Sequence, residues 1–264
     1  MRKKIFTELE IEQMEEMYCD HNLRVVDIAN KFNCSKNVIR QNINTETKKA
    51  HYSKYKIDNT YFERIDTNDK AYFLGLLYAD GNMNGYTTFR IALHKNDTYI
   101  LEIFKKYLKS THKLIPHDNA SLLQIANKKM YNDLIKLGLI PNKSLVLKFP
   151  DQNILPVNLR SHFIRGYFDG DGCISRTTHK KVGKNDLARV TFLGTYDFLS
   201  DIKYIFESEL DISVINLYKN GNIFDYRINR QKDIDKIREY MYYNKSDCFM
   251  MRKYEKFYKV RNIP

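Results

Sequence analysis

Apolar and polar residues follow three successive rhythms along this chain. In the first, residues 5–43, apolar side chains recur at helical spacing in three short runs: Ile11, Met14, Met17 and Tyr18; Val25, Ile28, Ala29 and Phe32; Val38 and Ile43. Thr7 and Glu10 form a capping-box pair ahead of the first run, and Ser35 is a good N-cap for the third, after a turn at Asn33-Cys34. In the second, from Asn44 to about Asn59, the period lapses among Thr, Lys, Ser and His, which reads as a linker. In the third, period-2 and period-3.6 segments alternate to the end of the chain.

That last part repeats in kind. Its first half predicts a helix over Asp69–Ala79, a turn at Asn82–Gly85, and a strand at Thr87–His94 with Phe89, Ile91 and Leu93 alternating against Arg90, Ala92 and His94. A helix at Asp97–Leu108, strands at Lys113–Pro116 and Ser121–Asn127, and a helix at Met130–Leu137 follow. The second half predicts a strand at Ala188–Gly194, a helix at Thr195–Glu209, strands at Ile212–Lys219 and Ile223–Asn229, and a helix at Asp233–Tyr242. ALHKNDTYILEIF is echoed by FLGTYDFLSDIKYIF, and IPNKS by YYNKS. A period this long is a duplicated α/β domain with pseudo-two-fold symmetry rather than a solenoid.

Each half opens on a similar segment: FLGLLYADG at Phe73–Gly81 and FIRGYFDGDG at Phe163–Gly172. An apolar helix with a small residue near its middle suits close backbone approach to a partner helix. A carboxylate in the last turn sits badly with the negative end of the helix dipole unless a cation stands there. Gly81 and Gly172 suit a left-handed helix-ending position. Parallel packing of the two helices brings Asp80 and Asp171 side by side, and a bound divalent metal is the common remedy for two adjacent carboxylates.

These segments, with Gly75 and Gly166 91 residues apart, resemble the paired LAGLIDADG motifs of single-chain homing endonucleases. Gly75 and Gly166 match the motif's central Gly, Asp80 and Asp171 its metal-binding acid, and Gly81 and Gly172 its closing Gly; Tyr78 departs from the Asp that many members carry. The resemblance implies an α+β fold: a duplicated αββαββα saddle with pseudo-two-fold symmetry over duplex DNA. It also implies Mg²⁺ or another divalent cation such as Mn²⁺, held by Asp80 and Asp171 with help from the carbonyls of Ala79 and Gly170. A cation near each scissile phosphate is assigned to Lys148, with Lys143 the runner-up, and to Lys253, with Arg252 next. In such a saddle the polar strand residues Arg90, His94, Gln124, Arg189, Thr191, Arg227 and Asn229 face the DNA groove, where Arg–G and Gln/Asn–A pairs discriminate bases.

Helix, tight turn and helix, with the small Ala29 in the second helix, is the helix-turn-helix pattern. The unit resembles those of recombinases and phage regulators, which implies an exposed DNA-reading face of Ser35, Lys36, Asn37, Arg40 and Gln41. A three-helix protein-docking unit is the competing reading. The domains are therefore expected as 1–46, an all-α helix-turn-helix; 47–68, a linker whose Lys48, Lys49, Lys54 and Lys56 can meet phosphates; 69–156 and 157–264, the two halves.

Composition sharpens this. Lys and Arg number 44 against 32 acidic residues, a net charge of +12, which favours a polyanion partner; a Lys-rich coding bias is the plainer explanation. The four cysteines form no CxxC pair and the histidines no HExxH, so no zinc site is expected, and reduced thiols suit a cytoplasmic setting. The basic start lacks the apolar stretch of a signal peptide, and no run reaches about 18 apolar residues, so no membrane span is expected. The chain neither starts with Cys or Ser nor ends in His-Asn, as intein splicing needs. The expectation is a monomeric, site-specific double-stranded DNA endonuclease encoded by a phage or mobile element. The alternatives are a non-cleaving LAGLIDADG/helix-turn-helix transcriptional regulator or an RNA-splicing maturase.

Overall fold

The computed structural model describes residues 6–19, 23–43, 55–85, 87–179 and 184–259, without the side chains of residues 177–187. Lys48, Lys49 and Lys54 lie outside the described residues. Three short helices come first: α1 (Glu8–Cys19), α2 (Val25–Lys31) and α3 (Lys36–Asn42). Thr7 N donates to Glu10 Oε2 at 2.8 Å and Glu10 N to Thr7 Oγ1 at 3.3 Å, which satisfies two of the N–H groups that a helix start leaves free. Ser35 accepts from Val38 N at the start of α3. Phe6, Met14, Ile28, Ala29, Ile39 and Ile43 make a small core of their own, distinct from the large one.

The larger part holds α4 (Asn68–Asp80), β1 (Gly81–Asn84), β2 (Thr88–His94), α5 (Thr98–Tyr107), β3 (Ile115–His117), β4 (Ala120–Ala126) and α6 (Lys128–Lys136). The second half repeats the order with α7 (Arg160–Asp171), β5 (Cys173–His179), β6 (Lys184–Gly194), α8 (Tyr196–Leu210), β7 (Leu217–Asn220), β8 (Ile223–Ile228) and α9 (Gln231–Tyr242), and adds α10 (Met251–Lys259). Each half carries one antiparallel four-stranded sheet, ordered β1-β2-β4-β3 and β5-β6-β8-β7. Phe89, Ile91 and Leu93 of β2, and Val190, Phe192, Tyr226 and Ile228 of β6 and β8, are buried in the core, as period-2 alternation requires.

α4 and α7 pack against each other, buried from Ala71 to Tyr78 and from His162 to Asp169. A Cβ on Gly75 would collide with the Phe163 carbonyl oxygen, and one on Gly166 with that of Tyr72. Backbone therefore lies on backbone across the pair.

Four expectations change. Residues 82–85 are not all turn: β1 runs through Asn84, pairing Asn82 with Arg90, and the reversal falls at Gly85, whose φ is +60°. Gly81 and Gly172 are extended, with φ of −71° and −81°, rather than left-handed. Their lack of a Cβ serves space instead, because one would strike the Leu77 carbonyl oxygen or the Phe168 ring. The strand expected from Ile212 begins only at Leu217. Tyr61, Phe62 and Ile65, read as linker, are buried in the large core, because these apolar side chains cover α4 and α5; rings of Phe62 and Phe104 meet edge to face at 6.1 Å. Lys56 already pairs with the first half, its N–H donating to Thr111 Oγ1 at 2.9 Å.

Candidate active site

α4 and α7 end together, so their terminal aspartates share one place. A Cβ on Gly170 would lie 2.9 Å from Asp80 Oδ2, which puts the Asp80 carboxylate against the residue preceding Asp171. The Asp80 side chain reaches solvent on one side, yet protein crowds the rest; this desolvation, with Asp171 adding its charge, pushes the carboxyl up to about 6. Desolvation also raises Asp171, while Lys143 and Lys253 oppose the rise.

Two lysines reach the same helix ends. Lys143 donates to the Ala79 carbonyl at 2.9 Å. Lys253, on α10, donates to the carbonyls of Phe168, Gly170 and Gly172 at 2.7, 2.9 and 2.7 Å. Burial holds the Lys253 ammonium down at about 8. Cations at helix C-termini match the dipole, the compensation that two terminal aspartates call for. Lys148 is exposed, and among the described residues no contact ties it to either aspartate; its runner-up Lys143 is the one that reaches the end of α4. Arg252 points elsewhere, its Nε donating to Asp97 Oδ2 at 2.7 Å.

Beneath Asp171 lies a cavity of ≈ 240 Å³, with Lys143, Ser144, Tyr167 and Thr195 among its lining. The segment around it crosses between halves: Thr195 Oγ1 donates to the Leu147 carbonyl. The second half answers in kind, with Tyr107 OH donating to Asp247 and Met251 N to Tyr99 OH at 2.6 Å.

The oxygen-only donor set fits a hard divalent cation: two carboxylates, and the Ala79 and Gly170 carbonyls, each of which also accepts from a lysine. No group of three or more His, Cys, Asp or Glu side chains forms a metal site among the described residues, and a Mg²⁺-type site with its own waters does not need one.

The strand residues sort into rows across the sheets. Arg90 stands between Asn82 and Gln124, and Thr191 between Cys173 and Arg227. Arg90 and His94 are exposed, Gln124, Arg189, Thr191 and Arg227 half-buried, and Asn229 exposed. Four already have partners: Arg189 Nε donates to Asn229 at 2.7 Å, which engages both, Arg227 pairs with Asp225, and His94 Nδ1 accepts from Asn96 N. Ser35, Lys36, Asn37, Arg40 and Gln41 are all exposed on or beside α3.

Sequence reasoning passed over Arg165 and Asp169. Both are fully buried. Arg165 donates to the carbonyls of Cys248 and Met241, and Asp169 accepts from Met250 N at 2.7 Å and Tyr72 OH at 2.9 Å. The signal was two opposite charges, Arg165 and Asp169, four apart and flanking the apolar run at Gly166–Phe168.

Two duplicated αββαββα units joined along paired glycine-bearing helices define the LAGLIDADG fold. Residues 158–242 match the family of LAGLIDADG-like domains. Among solved structures the chain is similar to the LAGLIDADG meganuclease I-AabMI bound to uncleaved DNA, at 14% identity and a TM-score of 0.52, covering 74% of this chain and 89% of that one. It is similar to the meganuclease I-SmaMI bound to uncleaveable DNA at 13% identity and 0.54, covering 75% and 89%. The LAGLIDADG meganuclease I-CpaMI bound to uncleaved DNA follows at 15% and 0.50, covering 75% and 90%. At these identities the likeness is one of fold. No curated protein matches the chain, and no helix among the described residues is long and apolar enough to cross a membrane.

Proposed function

We propose that the protein is a site-specific endonuclease that hydrolyses phosphodiester bonds of double-stranded DNA, working as a monomer. The observation that carries this reading is the placement of Asp80 and Asp171 at matched ends of two helices in backbone contact. A DNA-binding protein that only grips its site has no use for two mutually repelling carboxylates there.

Asp80 and Asp171, with the Ala79 and Gly170 carbonyls, would hold Mg²⁺ or Mn²⁺. When bound, such an ion activates water and relieves charge on the phosphorane-like transition state and the leaving 3′-oxygen. The chain's own residues do the rest. The helix contact fixes the separation of the two carboxylates, and Lys143, half-buried beside the Asp171 cavity, adds positive charge where a phosphate arrives. The rows through Arg90 and Thr191 offer polar side chains to the major groove. The exposed face of α3 extends the footprint as a helix-turn-helix reader, and the net charge of +12 favours phosphate neutralisation.

The test is incubation with DNA from the gene's own neighbourhood, with Mg²⁺ and with EDTA. A metal-dependent break at one locus supports the reading. Tight binding without a break moves the assignment to a transcriptional regulator, and specific binding of intron RNA to a maturase.

A further inference from the structure

The two lysines at the helix ends are held in different ways. Lys253 is buried, and its ammonium donates to three carbonyls of the last turn of α7 and its exit, those of Phe168, Gly170 and Gly172. An ammonium has three donors, so none is left for a phosphate or for water. Lys143 makes one such bond among the described residues, to the Ala79 carbonyl, the residue equivalent to Gly170. It lines the cavity beside Asp171.

The helix carrying Lys253 is clamped in return. Asp169, in the last turn of α7, accepts from Met250 N at 2.7 Å, directly ahead of α10. Arg165, a turn earlier, donates to the Cys248 carbonyl at 2.9 Å. The exchange is reciprocal: α7 presents an anion to the N-terminus of α10, and α10 presents a cation to the C-terminus of α7, each matched to the dipole it meets. The first half has no such exchange among the described residues. Tyr78 stands where Asp169 stands, and its hydroxyl donates to the Leu137 carbonyl at 2.6 Å. Lys143 itself rides on a single 3₁₀ turn, Lys143–Leu145.

We infer that Lys253 is a positioning residue, which with Asp169 locks the Asp171 end of α7 onto α10, and that of the two lysines Lys143 is the one with donors left for a scissile phosphate. The inference rests on the endonuclease reading. Its consequence is that the two DNA strands are served by unlike machinery.

The experiment compares Lys143→Met and Lys253→Met in the full chain by calorimetric titration with Mn²⁺ without DNA and by hydrogen exchange. Lys143→Met tightens Mn²⁺ binding, because one repelling charge is gone, and leaves exchange at residues 77–81 unchanged. Lys253→Met weakens Mn²⁺ binding by about tenfold or more, as loss of a ligand-orienting contact does, and speeds exchange at residues 168–172. If Lys253→Met fails to fold, Asp169→Asn, which keeps an acceptor for Met250 N but drops the charge, carries the same expectations in milder form. Tighter Mn²⁺ binding in both lysine variants, with exchange at 168–172 unaltered, overturns the inference. A wild-type chain that binds no Mn²⁺ sinks the endonuclease reading instead, and the lock is then decided by the exchange of residues 168–172 alone.

Discussion

Gly75 and Gly166 each abut the backbone carbonyl of the residue three positions before the other: Gly75 meets Phe163, and Gly166 meets Tyr72. This reciprocity is the pseudo-two-fold axis written at atomic scale. Nothing flexible stands in the way, so an added methyl cannot be accommodated by a rotamer change.

Gly75→Ala and Gly166→Ala are each expected to destabilise the fold by about 3 kcal/mol, the upper end for overpacking, because backbone rather than side chain must yield. Urea unfolding measures it. A loss below about 0.5 kcal/mol, the scale of ordinary surface substitutions, would mean that the helices do not touch through their backbones.

Asp80→Asn and Asp171→Asn are each expected to abolish cleavage while leaving DNA affinity within a few-fold. In EDTA each variant melts at a higher temperature than wild type, since a repelling, partly desolvated carboxylate is replaced by a neutral amide. Strand-resolved cleavage and thermal melting check the two halves of this prediction. Lost binding with intact chemistry would show the roles to be wrongly assigned.

Much of this architecture was legible because both signals it uses are local. The glycine spacing of α4 and α7 and the alternation of Phe89, Ile91 and Leu93 follow from periods of 3.6 and 2. What stayed hidden depends on contacts distant in sequence. Gly81 and Gly172 are required by Leu77 and Phe168 in their own helices, but an extended glycine and a left-handed one read alike in a sequence. Lys148 and Lys143 are five residues apart in one loop, and only its path over Thr195 decides which of them reaches Ala79. Arg165 and Asp169 find their partners between 73 and 97 positions away, which no local pattern reveals. α10 went unread because its apolar positions are sparse and Lys253, its most buried cation, reads as a surface residue.

His162 supplies a pH dependence away from the aspartates. Burial, with the Arg165 cation adding to it, lowers its imidazole to about 4. The unfolded chain takes up that proton near pH 6.5 and the folded chain does not. Stability is therefore fully present above pH 6.5 and is lost as pH falls toward about 4, by at most about 3 kcal/mol. Tm recorded across this window should fall less steeply for His162→Leu than for wild type. Parallel curves for the two proteins would show that His162 titrates normally.

Asp97 and Arg252 tie α10 of the second half to the start of α5 in the first, with Asp97 buried and Arg252 partly exposed. Exposure of one partner limits the coupling to about 1–2 kcal/mol, below that of a fully buried pair. A double-mutant cycle of Asp97→Asn and Arg252→Gln by urea unfolding measures it. Additive losses would leave the contact without energetic weight.

DNA readout divides the remaining polar residues by what they touch. Arg90, exposed between Asn82 and Gln124, has neighbours suited to a bidentate base contact, whereas Arg227 is already engaged by Asp225. Arg90→Ala should therefore cost about 1–3 kcal/mol of binding and relax preference at one base pair. Arg227→Ala should act mainly by freeing the buried Asp225 charge, weakening binding without relaxing any position. Arg40→Ala, on the exposed face of α3, should lower affinity and leave the cleavage rate of bound DNA unchanged. Binding titrations against single-base variants of the target separate the three. If Arg40→Ala binds as wild type does, the N-terminal helices are not a DNA reader, and a protein-docking role takes their place.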